Sequence, residues 1–567
     1  MKRFLLASLL LLLALCLASP PVRATTLDLT SATIADLDKA LNSGAITSEK
    51  LVELYLARIA AYDKQGPTIN AVITLNPKAL DEARALDAER KATGPRSPIH
   101  GIPMVLKDNY NTFDLPTTGG SQVLKGSIPP ADAFVVKKLR DAGVIILAKV
   151  NMSEFASGGG APNGFSSMGG QTKNPHDLTK GPAGSSGGTG ASMAAAFAQF
   201  GMGTDTGGSI RGPSSVNGIV GLKPTRGLLS RNGIIPLTLS LDTGGPMARS
   251  VTDVAIALGI MTGVDPADDA TRTSAGKFYT DYTQFLKVGA LRGARIGVAR
   301  DFFGQSPDTD KVMEEAILKL KELGATVVDP IKFPAYFTDS RQGMSSFNTE
   351  FKAQIAVYLA TLKPGYPKSL EEIIAKAEDP ATGYTSPWKL ASMKRTLAAA
   401  QEFSDPTYQA IINEGYAFVR ATVLAVMAKE NLDCLIYPTS ARPASPIGTG
   451  SLTSEGGGAG GDAAAGAAAG PSTGGAPGMA KKGGPGGRGG AGGGGGGVAS
   501  VANQTGFPDL IVPAGMTADG LPVTISFFGP AYSEAKLIGY GYDFEQATKA
   551  RALPKNTPKL PTDTLNN

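Results

Sequence analysis

Apolar residues recur every three or four positions in TSEKLVELYLARIAAYDKQG (47–66), between a polar start and a glycine stop. That spacing predicts an amphipathic helix. INAVITLN (69–76) reads as a strand, and PKALDEARALDAERKATG (77–94) as a second helix. GIPMVLKDN is a short apolar run that ends at Lys107, and DAFVVKKLRDAGVIILAKVN reads as helix, glycine turn and buried strand. The same alternation returns in GARIGVARD and DKVMEEAILKLKELGATVVD, and again as strand-like runs in FPDLIVPAGM and LPVTISFFG. Strands alternating with helices predict an α/β fold with a largely internal sheet.

Two stretches break the pattern. Residues 451–497 are nearly all Gly, Ala, Ser and Pro. Such a segment buries too little apolar surface to offset its ordering entropy, so it reads as a disordered insertion. Strand-like runs resume after it, so it interrupts one domain rather than separating two. The N-terminal stretch MKRFLLASLLLLLALCLASPPVRATT has a basic start, an apolar run and small residues at Val22 and Ala24. This is the layout of a secretory signal peptide over residues 1–24, with an uncleaved anchor as the alternative. The mature chain, 25–567, is then expected to be periplasmic or secreted, with no later stretch crossing a membrane.

Composition narrows the function. The formal charge is +5, but Lys2, Arg3 and Arg23 lie in the leader, leaving +2 on the remainder. That is no footprint for nucleic acid. The mature chain keeps one cysteine, Cys434, inside the apolar run NLDCLIYPT, where a buried structural thiol is expected. The two histidines, His100 and His176, lie in turn-like stretches without a G-x-S-x-G elbow or metal-ligand spacing. No metal and no cofactor are expected. GPAGSSGGTG (181–190) lacks the Lys-Ser/Thr of a P-loop, and GMGTDTGG misplaces the third glycine of a dinucleotide motif.

What remains is a pair of serine-bearing glycine turns. Ser185 and Ser186 sit in the first, and Ser209 in the second, GMGTDTGGSIRGPSSVNG (201–218). Between them TGASMAAAFAQFG predicts about three helical turns, a spacer that returns both turns to one end of the sheet. Lys107 closes an upstream strand. Burial disfavours its charged form, and neutral Lys can act as a base in Ser–Lys variants of the catalytic triad. Lowering a Lys from about 10.4 to about 7 costs on the order of 4–5 kcal/mol, within reach of burial.

GPRSPIHGIPMVLKDN, LRDAGVIILAKVNMSEFA, GPAGSSGGTGASMAAA, GTDTGGSIRGPSSVNGIVGLKPTRG and DTGGPMARSVTD, in this order, resemble the amidase signature family. The resemblance runs from about residue 33 to 555, with the insertion as its main departure. It implies one α/β domain whose large mixed sheet is covered by helices on both faces. It also implies a Ser–cis-Ser–Lys triad, carried here by Ser209 as nucleophile, Ser185 as bridge and Lys107 as base. Thr206, Gly207 and Gly208 resemble the family's oxyanion loop, with Ser186, Asp205 and Arg211 in support. SRNGIIPLTLSLDTGGPMARSV and DYTQFL look most like exported bacterial peptide amidases, which implies a peptide or small-molecule amide substrate. Fatty-acid amides and aryl-acylamides are the alternative substrates, and an exported binding protein on the same scaffold is the alternative function. Oligomeric state is not set by any of these features.

Overall fold

The computed structural model describes residues 26–337, 344–448 and 498–566. The leader 1–24 and the insertion 451–497 lie outside these residues.

Eleven strands form the central sheet: β1 (Val72–Leu75), β2 (Pro103–Lys107), β3 (Ile145–Val150), β4 (Phe200–Asp205), β5 (Val220–Lys223), β6 (Thr243–Ala248), β7 (Arg295–Ala299), β8 (Thr326–Ile331), β9 (Cys434–Pro438), β10 (Asp509–Met516) and β11 (Pro522–Phe528). Their order is β8-β7-β9-β11-β10-β5-β6-β4-β2-β3-β1. β8, β7 and β9 run parallel, as do β4, β2 and β3, and the middle of the sheet is antiparallel. Strands of one domain thus lie on both sides of residues 449–497. β9 pairs with β11, and β10 pairs with β5.

Strand alternation shows that both faces are covered. A Cβ on Gly541, in the helix Glu534–Thr548, would meet Leu510 and Val512 of β10. The alternate residue Asp509 points the other way, to Arg211 of the helix Arg211–Val216. Gly221, in register with Ile511, faces Ser214 of that same helix.

The predicted elements are present, with tighter bounds. Thr47 caps the helix Ser48–Tyr62 through its side chain, and Ala79–Thr93 is helical. The spacer is shorter than the alanine run predicts. Its helix is Gly187–Ala194, starting inside the glycines, and it stops before Ala196, which is left-handed at φ 53°. The glycines make this start possible because there is no room for side chains. A Cβ on Gly188 would lie 2.2 Å from the Asn151 carbonyl oxygen, and one on Gly190 would lie 2.9 Å from that of Pro213.

One stretch corrects the sequence reading of membrane spans. The helical run Pro406–Lys429 has the length and hydropathy to cross a bilayer. Its Val419, Val423 and Met427 pack instead with Leu435, Tyr437 and Phe528 of the sheet. Cys434 is buried in β9, and burial pushes its thiol far up. His100 and His176 are buried as well, their Nε2 atoms 2.9 Å from Leu86 O and 3.2 Å from Asn217 O.

Candidate active site

The site lies at the C-terminal ends of three adjacent parallel strands. β2 ends on Lys107, and β4 ends on Asp205 and runs into the second glycine turn. Asn151, just after β3, accepts the Gly188 amide at 3.0 Å, and Ser153 donates its amide to Ser185 O at 3.0 Å. These two bonds dock the first glycine turn on the same edge. The Ser186 amide then donates to Ser209 O at 3.2 Å, joining the two turns directly.

Lys107 is fully buried, and its Nζ lies 2.7 Å from Ser185 Oγ and 2.7 Å from Thr204 Oγ1, with Thr204 O at 3.4 Å. Burial pushes this lysine down to about 7, although Asp205 and Asp242 pull the other way. It is therefore substantially neutral near neutral pH. A neutral amine has two N–H donors and one lone pair. Thr204, through hydroxyl and carbonyl, meets the two donors and leaves the lone pair facing the Ser185 hydroxyl. Asn109 Nδ2 fixes Thr204 in turn, at 3.1 Å from its Oγ1.

The peptide bond Gly184–Ser185 is cis, in accord with what the resemblance implied. Ser186 faces the strand rather than the lysine. Its Oγ lies 3.2 Å from Thr204 O and accepts the Thr204 amide at 3.3 Å. Ser209 Oγ is buried and makes no hydrogen bond among the described residues. Lys107 thus meets Ser185 directly, while Ser209 Oγ bonds to neither of them.

Asp205 organises the second turn. Its carboxylate accepts the amides of Gly208 at 2.8 Å and Ile210 at 2.9 Å, and two Arg211 donors at 3.1 Å each. Burial alone would raise this acid, but Arg211 and the amides outweigh it and hold it well below the usual carboxylate range. Gly208, which the resemblance placed in an oxyanion loop, has its amide engaged by this bond. That amide is turned toward Asp205, so Thr206 and Gly207, with Ser209, carry the amides left without an internal partner among the described residues.

Besides Asn109, Asn151 and Ser153, four contributors to the site escape sequence reasoning. Asn503 Nδ2 donates to Asp205 Oδ1 at 2.9 Å and to Asp205 O at 3.2 Å, while its Oδ1 accepts from Arg211. Asp509 takes Arg211 on its other side at 3.4 Å and the Tyr437 hydroxyl at 2.7 Å. Asp242 accepts the Thr206 hydroxyl and the amides of Leu237 and Thr238. The fourth is Thr204. Its one sequence signal is a place in the GTDTGGS stretch, and Asn503 lies in the matching VANQTGFPDLIVPAGM. Nothing local marks either as a partner of the site.

Beside Thr204 and Thr206 a small cavity opens, lined by Asn109, Ala156, Arg231, Ile234, Leu237 and Asp242 among others. Its walls are mostly aliphatic. No cluster of three metal-ligating side chains occurs among the described residues.

A buried lysine on a serine, beside a second serine at a glycine turn on a mixed sheet, defines an amidase-signature hydrolase of amide C–N bonds. Similarity to known proteins points the same way. The family model Amidase matches residues 50–470, and the chain belongs to that family. The peptide amidase of Stenotrophomonas maltophilia is 36% identical with a TM-score of 0.78, covering 92% of this chain and 98% of that one. An amidase family protein of Bacillus anthracis is 30% identical, also with a TM-score of 0.78, over 93% of each chain. A glutamyl-tRNA(Gln) amidotransferase subunit of Thermoanaerobacter pseudethanolicus is 33% identical over 93% of this chain and 99% of its own.

Proposed function

We propose that this chain is an exported amidase that hydrolyses the C-terminal amide of peptides through Ser209, Ser185 and Lys107. The observation that carries the triad is the 2.7 Å contact between the buried Lys107 Nζ and Ser185 Oγ, on a turn tied to Ser209. Ser209 attacks the amide carbonyl while its proton passes to Ser185, whose own proton goes to the Lys107 lone pair. The tetrahedral oxygen meets the amides of Thr206, Gly207 and Ser209. The C–N bond then breaks as the proton returns through Ser185 to the leaving nitrogen, releasing ammonia and leaving an acyl-enzyme. Water, deprotonated by the same relay, releases the acid.

The peptide-amide reading is supported by 36% identity to the Stenotrophomonas enzyme over nearly its whole length. Export rests on the leader, with residues 1–24 removed; N-terminal sequencing of secreted protein should begin at Thr25. The near-neutral mature charge and the leader weigh against a tRNA-linked role. Ammonia release should be measured on peptide amides, simple amides and acyl anilides. Peptide amides are expected to give the highest kcat/KM, and a clear preference for anilides would overturn the substrate assignment. A fluorophosphonate probe should label the native protein and not Ser209→Ala.

A further inference from the structure

Beyond Asp242 the cleft wall is held by arginines. Arg231 grips Asp268 through two bonds, at 2.9 and 2.5 Å, and also reaches Leu239 O. Arg226 takes the next available carbonyl, Ser240 O. Arg420, from the helix Tyr416–Lys429, donates to Thr505 O at 3.3 Å, and the Arg226 amide donates to the adjoining Gly506 O at 3.0 Å. A Cβ on Gly506 would lie 3.7 Å from Arg226 Nε. The two guanidinium groups therefore flank one peptide unit, just beyond the helix Val498–Thr505 that carries Asn503.

Unlike Arg231, neither Arg226 nor Arg420 forms an ion pair among the described residues, and each retains N–H donors without a protein partner there. The carboxylate that acts on Arg226 is Glu350, which is buried and committed to the Ser240 amide at 2.9 Å and Gln354 at 2.8 Å. Two arginines against one carboxylate leave one positive charge in excess. Burial and the neighbouring arginines already lower Arg226 from its ordinary value. Hydroxyl groups complete the surroundings: Ser240 Oγ, Ser346 Oγ and Tyr416 OH form a chain with 3.0 Å steps.

We propose that Arg226 and Arg420 form an anion subsite at the rim of the cleft, which selects amides bearing a carboxylate away from the scissile bond. The subsite deepens the peptide-amidase reading and rests on it for the identity of the scissile bond. A half-buried guanidinium pair suits a carboxylate because planar donors meet both of its oxygens. Ser240 lies two residues before Asp242, which holds Thr206 of the nucleophile turn, so one stretch of wall joins the subsite to that turn, and the length of the peptide sets the reach between them.

The test uses matched peptide amides of increasing length, capped at the N-terminus by a neutral acetyl or an anionic succinyl group. At one length the succinyl compound is expected to show about tenfold higher kcat/KM, in line with one charge-assisted contact. R226Q and R420Q should bring the ratio near one by lowering the succinyl value toward the acetyl one. Equal rates for the two caps at every length would overturn the subsite, and so would a preference that survives in both variants. If no peptide amide is turned over, the peptide reading fails by itself. Calorimetric titration with the succinyl peptides then decides the subsite, since binding must weaken in both variants.

Discussion

Lys107 makes the clearest residue-scale prediction. The proposed relay needs its lone pair, and burial puts it near 7. kcat/KM should rise as pH increases through about 7 and then level off, and a profile falling between pH 6 and 8 would contradict the base assignment. Lys107→Ala should lower kcat by several orders of magnitude with the fold intact, since base and relay act as a unit. His176 links stability to pH in a separate way. Burial pushes its imidazole down to about 4 from 6.5. Between those values the unfolded chain binds a proton that the folded one does not. Stability is therefore complete above about pH 6.5 and is lost as pH falls toward 4, by about 3 kcal/mol. Asp253 and Glu545, raised by burial to about 6 and about 7, act in the opposite direction over the same range, so the slope is read as the difference in urea midpoint between the native protein and His176→Gln across pH 4–7.

The elements matter because they bring distant charges to one turn. The helix Val498–Thr505 places Asn503 on Asp205, 298 residues away in sequence. Asn503→Ala should lower kcat about 10- to 100-fold with KM little changed, the scale of a hydrogen bond to a charged group. Partial rescue by Asn503→Gln would separate positioning from simple destabilisation. Arg211 stands between Asp205 and Asp509. Arg211→Ala strands two buried carboxylates and should cost about 3–5 kcal/mol, visible as a large fall in thermal midpoint. The spacer helix teaches a related lesson. Its alanines predicted three turns, yet the glycines before them start the helix, because Asn151 and Pro213 approach too closely for side chains.

For the whole molecule, the sheet closes across the long Gly/Ala-rich stretch. β9 precedes it, β10 and β11 follow it, and β9 pairs with β11. We propose that residues 451–497 are dispensable for folding. Removing them should shift the thermal midpoint by only a few degrees, and an aggregated product would refute the idea. Much of this architecture was legible in the chain. Apolar runs marked β1, β2, β3, β7, β8, β10 and β11, and helical spacing marked their neighbouring helices, because a sheet covered on both faces needs apolar strands and a covering helix needs one apolar face, and local sequence must carry both. The strand order was not legible, since pairing joins segments hundreds of residues apart.

The candidate site divides in the same way. Local sequence determined which groups are available: a lysine closing an apolar strand, two serines on glycine turns, no metal-ligand spacing and no histidine suited to a triad. Those are properties of short stretches, and the family resemblance rests on them. Only the tertiary structure decided which partners they meet. It set Thr204 against the lysine donors, turned the Gly208 amide to Asp205, and delivered Asn503 and Asp509 to Arg211. Desolvation of Lys107 and pairing of Asp205 depend on everything packed around them, and that packing is a property of the assembled fold.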